Sequence, residues 1–165
     1  MIFASVGSML PFDRFVQAVD GWAAAHPDTP VTIQIGDGAY EPCHADWVRI
    51  VPHPRYMALL ERCSLFVAHV GIGSIVQALE TGRPMVMLPR LASLGEHTTD
   101  HQLHTAARFR DTPGLTIVED IAALHAAIDR HLAHPAAPAA AISTAAPPAM
   151  TTRIGAFLHG LPAAS

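Results

Sequence analysis

The chain has 165 residues, half of them hydrophobic and 15% charged, with a net charge of -4. That is long enough for one domain with a sizeable core, and the balance excludes a disordered chain or one that holds nucleic acid by bulk electrostatics. All ten basic residues are Arg, which excludes a phosphate-loop lysine, a Schiff-base lysine and a lysine general base.

The N-terminus, Met1-Ile-Phe-Ala-Ser-Val-Gly, lacks the basic start and long apolar run of a signal peptide. No window reaches the roughly 18 apolar residues of a membrane span. Residues 2–6 predict a first strand, with Gly7-Ser8-Met9-Leu10-Pro11 as the loop at its C-terminal end. Phe12, Phe15, Val16, Val19 and Trp22 then share one face of a helix that Pro27 and Pro30 stop. Residues 31–35 and 47–51 predict two more strands, with Gly36-Asp37-Gly38 as a turn in which Asp37 is simply a turn residue. Tyr56 to Cys63 predicts a short helix. Cys43 and Cys63 lack metal-site spacing and read as reduced thiols.

The stretch from Leu65 to Pro89 is the most informative part of the chain. It reads as strand, glycine turn, helix, turn and strand. Leu65 to Ala68 is an apolar run suited to a strand buried on both faces. His69-Val-Gly71-Ile-Gly73-Ser74 follows, with Ser74 or Gly73 as helix cap. Gly82 ends the helix near Thr81, Pro84 prevents its continuation, and Met85 to Leu88 is the next strand. Such a turn lets backbone approach a ligand, and free N–H groups at the helix start attract an anion, usually phosphate.

After a polar loop from Arg90 to Glu96, a helix is expected from His97 to Phe109, capped near Thr98 or Thr99. His97, His101 and His104 would share one face of it, a spacing that can bind zinc; no metal is expected, since a site needs three or four convergent ligands. Arg90 is expected to contact phosphate or Asp100, or to be a solvated surface residue. Residues 115–118 predict the last strand, and Glu119 opens a helix through about Leu132 with Ile121, Leu124 and Ile128 inward. Residues 134–150 form an Ala/Pro-rich linker. The tail, residues 151–165, carries a short helix over 151–161 with Ile154, Phe157 and Leu158 on one face, a candidate docking element. The alternation predicts an α/β, Rossmann-like three-layer domain over residues 1–133, with a parallel sheet of about six strands.

Taken together and in this order, several motifs resemble one family. They are Gly7-Ser8 with Pro11-Phe12-Asp13, His69-x-Gly71-x-Gly73-Ser74, Ala78-Leu79-x-x-Gly82-x-Pro84 with Pro89, and Asp100-His101-Gln102. The family is the C-terminal, donor-binding half of GT-B glycosyltransferases of the lipid II N-acetylglucosaminyltransferase group, glycosyltransferase family 28. The match, over residues 2–132, is nearest to stand-alone forms of that half. These are the small subunits of two-component exopolysaccharide glycosyltransferases and the catalytic subunit of the dolichol-linked UDP-GlcNAc transferase.

The resemblance implies a UDP-sugar as donor and no cofactor. It places the diphosphate on Gly7, Ser8, Gly71, Gly73 and Ser74. It places the uracil and ribose against Val51, Met57 and Gln77, and the sugar hydroxyls on Asp100, His101 and Gln102. His69 is then the candidate catalytic group, donating to a phosphate oxygen or stabilising the departing UDP; a satisfied core histidine is its other reading. No side chain is identified as the general base. One departure is visible. Gln77 stands where the family usually has a ribose-binding Glu, with Glu80 one turn later as a substitute. The resemblance further implies a membrane-associated partner that supplies the acceptor site, a lipid-linked saccharide as acceptor, and a cytoplasmic location at the inner face of the membrane. A non-catalytic enhancer subunit is the alternative that Gln77 favours. A nicotinamide enzyme is disfavoured, because Gly71-x-Gly73-x-x-Val76 lacks the third small residue of that fingerprint.

Overall fold

The computed structural model describes residues 1–135, 138–139 and 146–159. Six strands form one parallel sheet: β1 (Ile2–Ser5), β2 (Val31–Gln34), β3 (Asp46–Val48), β4 (Leu65–His69), β5 (Met85–Leu88) and β6 (Leu115–Ile117). Their spatial order is β3-β2-β1-β4-β5-β6. The helices are α1 (Asp13–Ala25), α2 (His53–Arg62), α3 (Ile72–Thr81), α4 (His101–Phe109) and α5 (Ile121–Ala133), one after each strand except β2, which runs to β3 without a helix; α6 (Pro148–Leu158) follows. This is the expected α/β, Rossmann-like arrangement, with three strands on either side of the point between β1 and β4 where the strand order reverses.

The two-residue period of each strand sorts its side chains into two cores. Ile2, Ala4, Leu65, Val67, Val86 and Leu88 pack with α1 and α5 on one face. Phe3, Phe66, Ala68, Met85 and Met87 pack with α2 and α3 on the other. The apolar stripe read for α1 is buried throughout: Phe12, Phe15, Val16, Val19 and Trp22 are each 0–1% exposed. Trp22 also donates its indole N–H to Asp129 of α5 at 2.8 Å, which ties the two helices together.

Several boundaries differ from the expected ones, each for a local reason. Helix α2 starts at His53 rather than Tyr56, because Pro54 falls in the first turn, where its missing N–H costs nothing. Helix α5 starts after Asp120, whose carboxylate accepts the Ala123 N–H at 2.7 Å, rather than at Glu119. Leu124 and Ile128 are fully buried as expected, but Ile121, at the first position of the helix, is 38% exposed. Strand β3 covers only residues 46–48, and β1, β2 and β6 each end one residue early.

The linker is anchored. Ala139 is 3% exposed and belongs to the core beside β5 and β6. Gly114, at φ +79°, leaves the room: a Cβ there would lie 2.3 Å from the Ala139 Cα. Helix α6 begins at Pro148, three residues before the expected start. Residues 160–161 of the expected tail helix lie outside the described residues, as do 136–137, 140–145 and 162–165. No helix among the described residues is long and apolar enough to cross a membrane.

Candidate functional site

Ligands of open α/β sheets bind beyond the carboxyl ends of the strands, where the strand order reverses. Here that point lies between β1 and β4, and a cleft of about 550 Å³ opens there. Its floor is made of the loop after β1 and the turn from β4 to α3.

His69, the last residue of β4, sits between those two loops. A Cβ on Gly7 would lie 2.6 Å from its Cε1, and a Cβ on Gly71 would lie 2.2 Å from its Nε2. Both glycines are therefore required by the imidazole itself. Gly7 additionally holds φ at +81°. The His69 Nδ1 is buried. Burial, with the Arg90 guanidinium adding to it, pushes the His69 pKa down to about 4, so the ring is neutral at neutral pH.

Helix α3 starts two or three residues earlier than the sequence suggested. Its N-cap is Gly71, not Gly73 or Ser74, and no side chain caps it. The first intrahelical acceptor bond is Ile75 N–H to Gly71 O, 3.0 Å. The N–H groups of Ile72, Gly73 and Ser74 precede it, and all three residues line the cleft. A Cβ on Gly73 would meet nothing within 4 Å, so this glycine borders open space. The other end of α3 matches the sequence reading: Gly82 is left-handed at φ +63° and closes the helix with Arg83 N–H to Ala78 O, 2.9 Å.

Gly7, Ser8, Val51, His69, Gly71 and Gly73 line the cleft, and so do Ser74, Gln77, His101 and Gln102. Two of the expected site residues do not. Met57 packs against the core under α2 and α3. Asp100 is exposed and accepts the Ala92 N–H at 2.9 Å, which fastens the loop before α4. Glu80, the suggested substitute for a ribose-binding acid, is exposed and also outside the cleft. Gln102 is 3% exposed and its amide oxygen accepts the Arg90 N–H at 3.0 Å, leaving the amide N–H₂ side for a ligand.

Arg90 is neither solvated nor bound to Asp100. It is 2% exposed, and its guanidinium donates to Val6 O (2.8 Å), Leu10 O (2.7 Å) and Pro11 O while lying over the Phe12 ring. It thus fixes the loop after β1 from the far side of the cleft. Burial lowers its pKa to about 10, and Glu96 opposes that, so it stays charged. Glu96 in turn takes a bidentate pair of bonds from Arg14, at 2.6 and 2.8 Å, and the Leu91 N–H at 2.9 Å.

Among the cleft residues, Gln34 escaped the sequence reading. Gln34, buried in β2, donates to Gly7 O at 2.9 Å and accepts the Val51 N–H at 2.9 Å, so one amide joins the loop after β1 to the loop before α2. A Gln within an apolar strand was the available signal. Tyr56 and His53 enter from the start of α2. His97 precedes α4 instead of belonging to it, because that helix starts at His101 after Asp100. The even helical spacing with His101 and His104 therefore does not form. Among the described residues no group of three His, Cys, Asp or Glu side chains is placed to hold a metal ion.

The model of the glycosyltransferase family 28 C-terminal domain matches residues 1–152. The chain belongs to this family. No curated relative matches. Among solved structures, the glycotransferase of kitacinnamycin superposes with a TM-score of 0.59 at 25% identity, over 81% of this chain and 35% of that one. The solution structure of ALG13 superposes with a TM-score of 0.58 at 14% identity, over 83% of this chain and 87% of that one. An anthocyanidin 3-O-glucosyltransferase in complex with UDP superposes at 0.52 and 19% identity, over 74% of this chain and 30% of that one. The family 28 chain thus spans about a third of the kitacinnamycin enzyme, and its fold matches the C-terminal half of GT-B glycosyltransferases.

Proposed function

We propose that this family 28 domain is the donor-binding half of an inverting, UDP-sugar-dependent glycosyltransferase. One observation carries the reading: the first three residues of α3, whose N–H groups have no intrahelical acceptor, line the cleft at the switch point. The positive end of that helix would hold the diphosphate and offset the charge that develops as UDP departs. Neutral His69 and the Gly7-Ser8 loop would complete the phosphate cradle. Val51 and Gln77 would face the nucleoside, and His101 and Gln102 the sugar. The structures named with UDP and with a glycotransferase activity support a nucleotide-sugar donor.

In this reading, the acceptor is a lipid-linked saccharide of exopolysaccharide or glycan biosynthesis, presented by a membrane-associated partner subunit at the inner face of the membrane. Helix α6 favours a partner, since Ile154, Phe157 and Leu158 are 47–81% exposed. Deleting α6 should abolish co-purification with that partner, and an unchanged complex would refute the docking role.

Gln77 favours a second reading, a non-catalytic enhancer that binds the partner but not the donor. Its neutral amide makes weaker bonds to a ribose than the carboxylate it replaces. Calorimetric titration with UDP, with NADP as control, separates the two. The donor-site reading expects UDP binding that Gly73→Asp removes. The added carboxylate enters open space at a helix N-terminus, where it suits the helix but repels phosphate. Absence of UDP binding would leave the enhancer reading.

A further inference from the structure

We propose that His97 and His101 form an imidazole pair that takes up a proton as the donor's diphosphate enters the cleft, so that nucleotide binding is proton-linked. The inference rests on the donor-site reading and adds its charge balance. A diphosphate brings at least two negative charges into the cleft, and the chain has no lysine to meet them. Arg90 faces the cleft, but both of its terminal nitrogens already donate to backbone carbonyls. The N–H groups of α3 supply only about half a unit of positive charge.

The two imidazoles stand edge to face with centroids 4.3 Å apart, and both line the cleft. Thr99 holds them from behind. Its N–H donates to the His97 Nδ1 at 3.2 Å, and its hydroxyl lies 3.1 Å from the His101 Nδ1. The His97 proton is thereby set on Nε2, and both Nε2 atoms are left for a ligand. Among the described residues, no carboxylate lines the cleft around the pair. Arg90 comes from the end of β5, His69 from β4, and His53 and Tyr56 from α2. Glu96 is held by Arg14, and Asp100 by the Ala92 N–H. Burial, His101 and Arg90 lower the His97 pKa in the free protein. An entering dianion reverses that balance, because an opposite charge favours the protonated ring.

The test is calorimetric titration of the full chain with UDP at pH 7 in two buffers of different ionisation enthalpy, on the wild type, His97→Asn and His101→Asn. The terminal phosphate of UDP contributes the same proton change to all three proteins. The expected result is that each variant takes up fewer protons than the wild type, by a fraction of one, and that its affinity falls less as pH rises from 6 to 8. Binding with equal proton uptake in all three proteins would overturn the inference and leave the donor site standing. Absence of UDP binding to the wild type would overturn both.

Discussion

His69 and its two glycines make the tightest prediction at the level of single residues. Gly71→Ala would place a methyl group 2.2 Å from the His69 Nε2, and only movement of the ring or of the turn can relieve that. Overpacking of this kind costs about 1–3 kcal/mol. UDP affinity should fall with it, because the turn that moves also carries the first N–H groups of α3. Chemical denaturation and UDP titration of the variant check both effects. His69 also makes stability depend on pH. Its folded pKa of about 4 lies below the ordinary 6.5, so the unfolded chain binds the extra proton. The neutral ring costs nothing above pH 6.5, and stability is lost as pH falls from there through 4. The full loss is on the order of 3 kcal/mol. Urea unfolding at pH 7 and pH 4.5 should show the loss in the wild type and a clearly smaller one in His69→Asn; equal losses would refute it.

The loops of the cleft are held by side chains that arrive from other elements. Arg90 at the end of β5 ties down the loop after β1, and Gln34 in β2 joins that loop to the one before α2; outside the cleft, Asp20 in α1 organises residues 40–45 in the same way. Asp20 is 1% exposed. Its carboxylate accepts the Tyr40 hydroxyl at 2.7 Å and the N–H groups of Cys43, His44 and Ala45 at 2.8–3.0 Å. Burial alone would raise its pKa, but these bonds outweigh burial and lower it, while the bond to Asp20 pushes Tyr40 up to about 12. Arg90→Met would keep the stem of the side chain and leave the Val6, Leu10 and Pro11 carbonyls without their donor. Each unsatisfied buried acceptor costs about 1–3 kcal/mol, and the loop will relax to recover part of it. A destabilisation of roughly 3 kcal/mol and weaker UDP binding are expected by denaturation and titration. These clamps mark the limit of what the sequence discloses. The βαβ units, the switch-point turn and the apolar face of α1 follow from local periodicity, and they were legible. Arg90 lies 84 positions from Val6, and Gln34 lies 17 from Val51. No local pattern records such pairings, so Arg90 reads as a contact to phosphate or Asp100, or as a solvated residue, until the fold brings the two loops together. The histidine spacing failed for a related reason: the start of α4 was set by the loop tied at Asp100, not by the apolar period.

At the level of the whole molecule, the chain after α5 has two parts with opposite physics. Ala139 is buried against Gly114, whereas no residue of α6 is buried and its large apolar side chains, Met150, Ile154, Phe157 and Leu158, are 47–81% exposed. The first part packs into the core of the domain, and the exposure of the second predicts that the domain folds without it. Gly114→Ala tests the first. It adds a methyl group onto the Ala139 backbone and forces φ +79° on a residue with a Cβ, so two penalties combine to about 2–4 kcal/mol. Truncation tests the second. A chain that stops after Ala139 loses α6 but keeps its anchor, and should unfold within about 0.5 kcal/mol of the full chain, as for changes that touch no buried group. A chain that stops after Ala133 also loses the buried Ala139, and should be less stable by roughly 1 kcal/mol from the apolar area it uncovers. Urea unfolding of the three lengths distinguishes these outcomes. If removing α6 alone were to cost as much as removing the anchor, α6 would have to pack on the domain. Its exposed face would then be unavailable to a partner subunit.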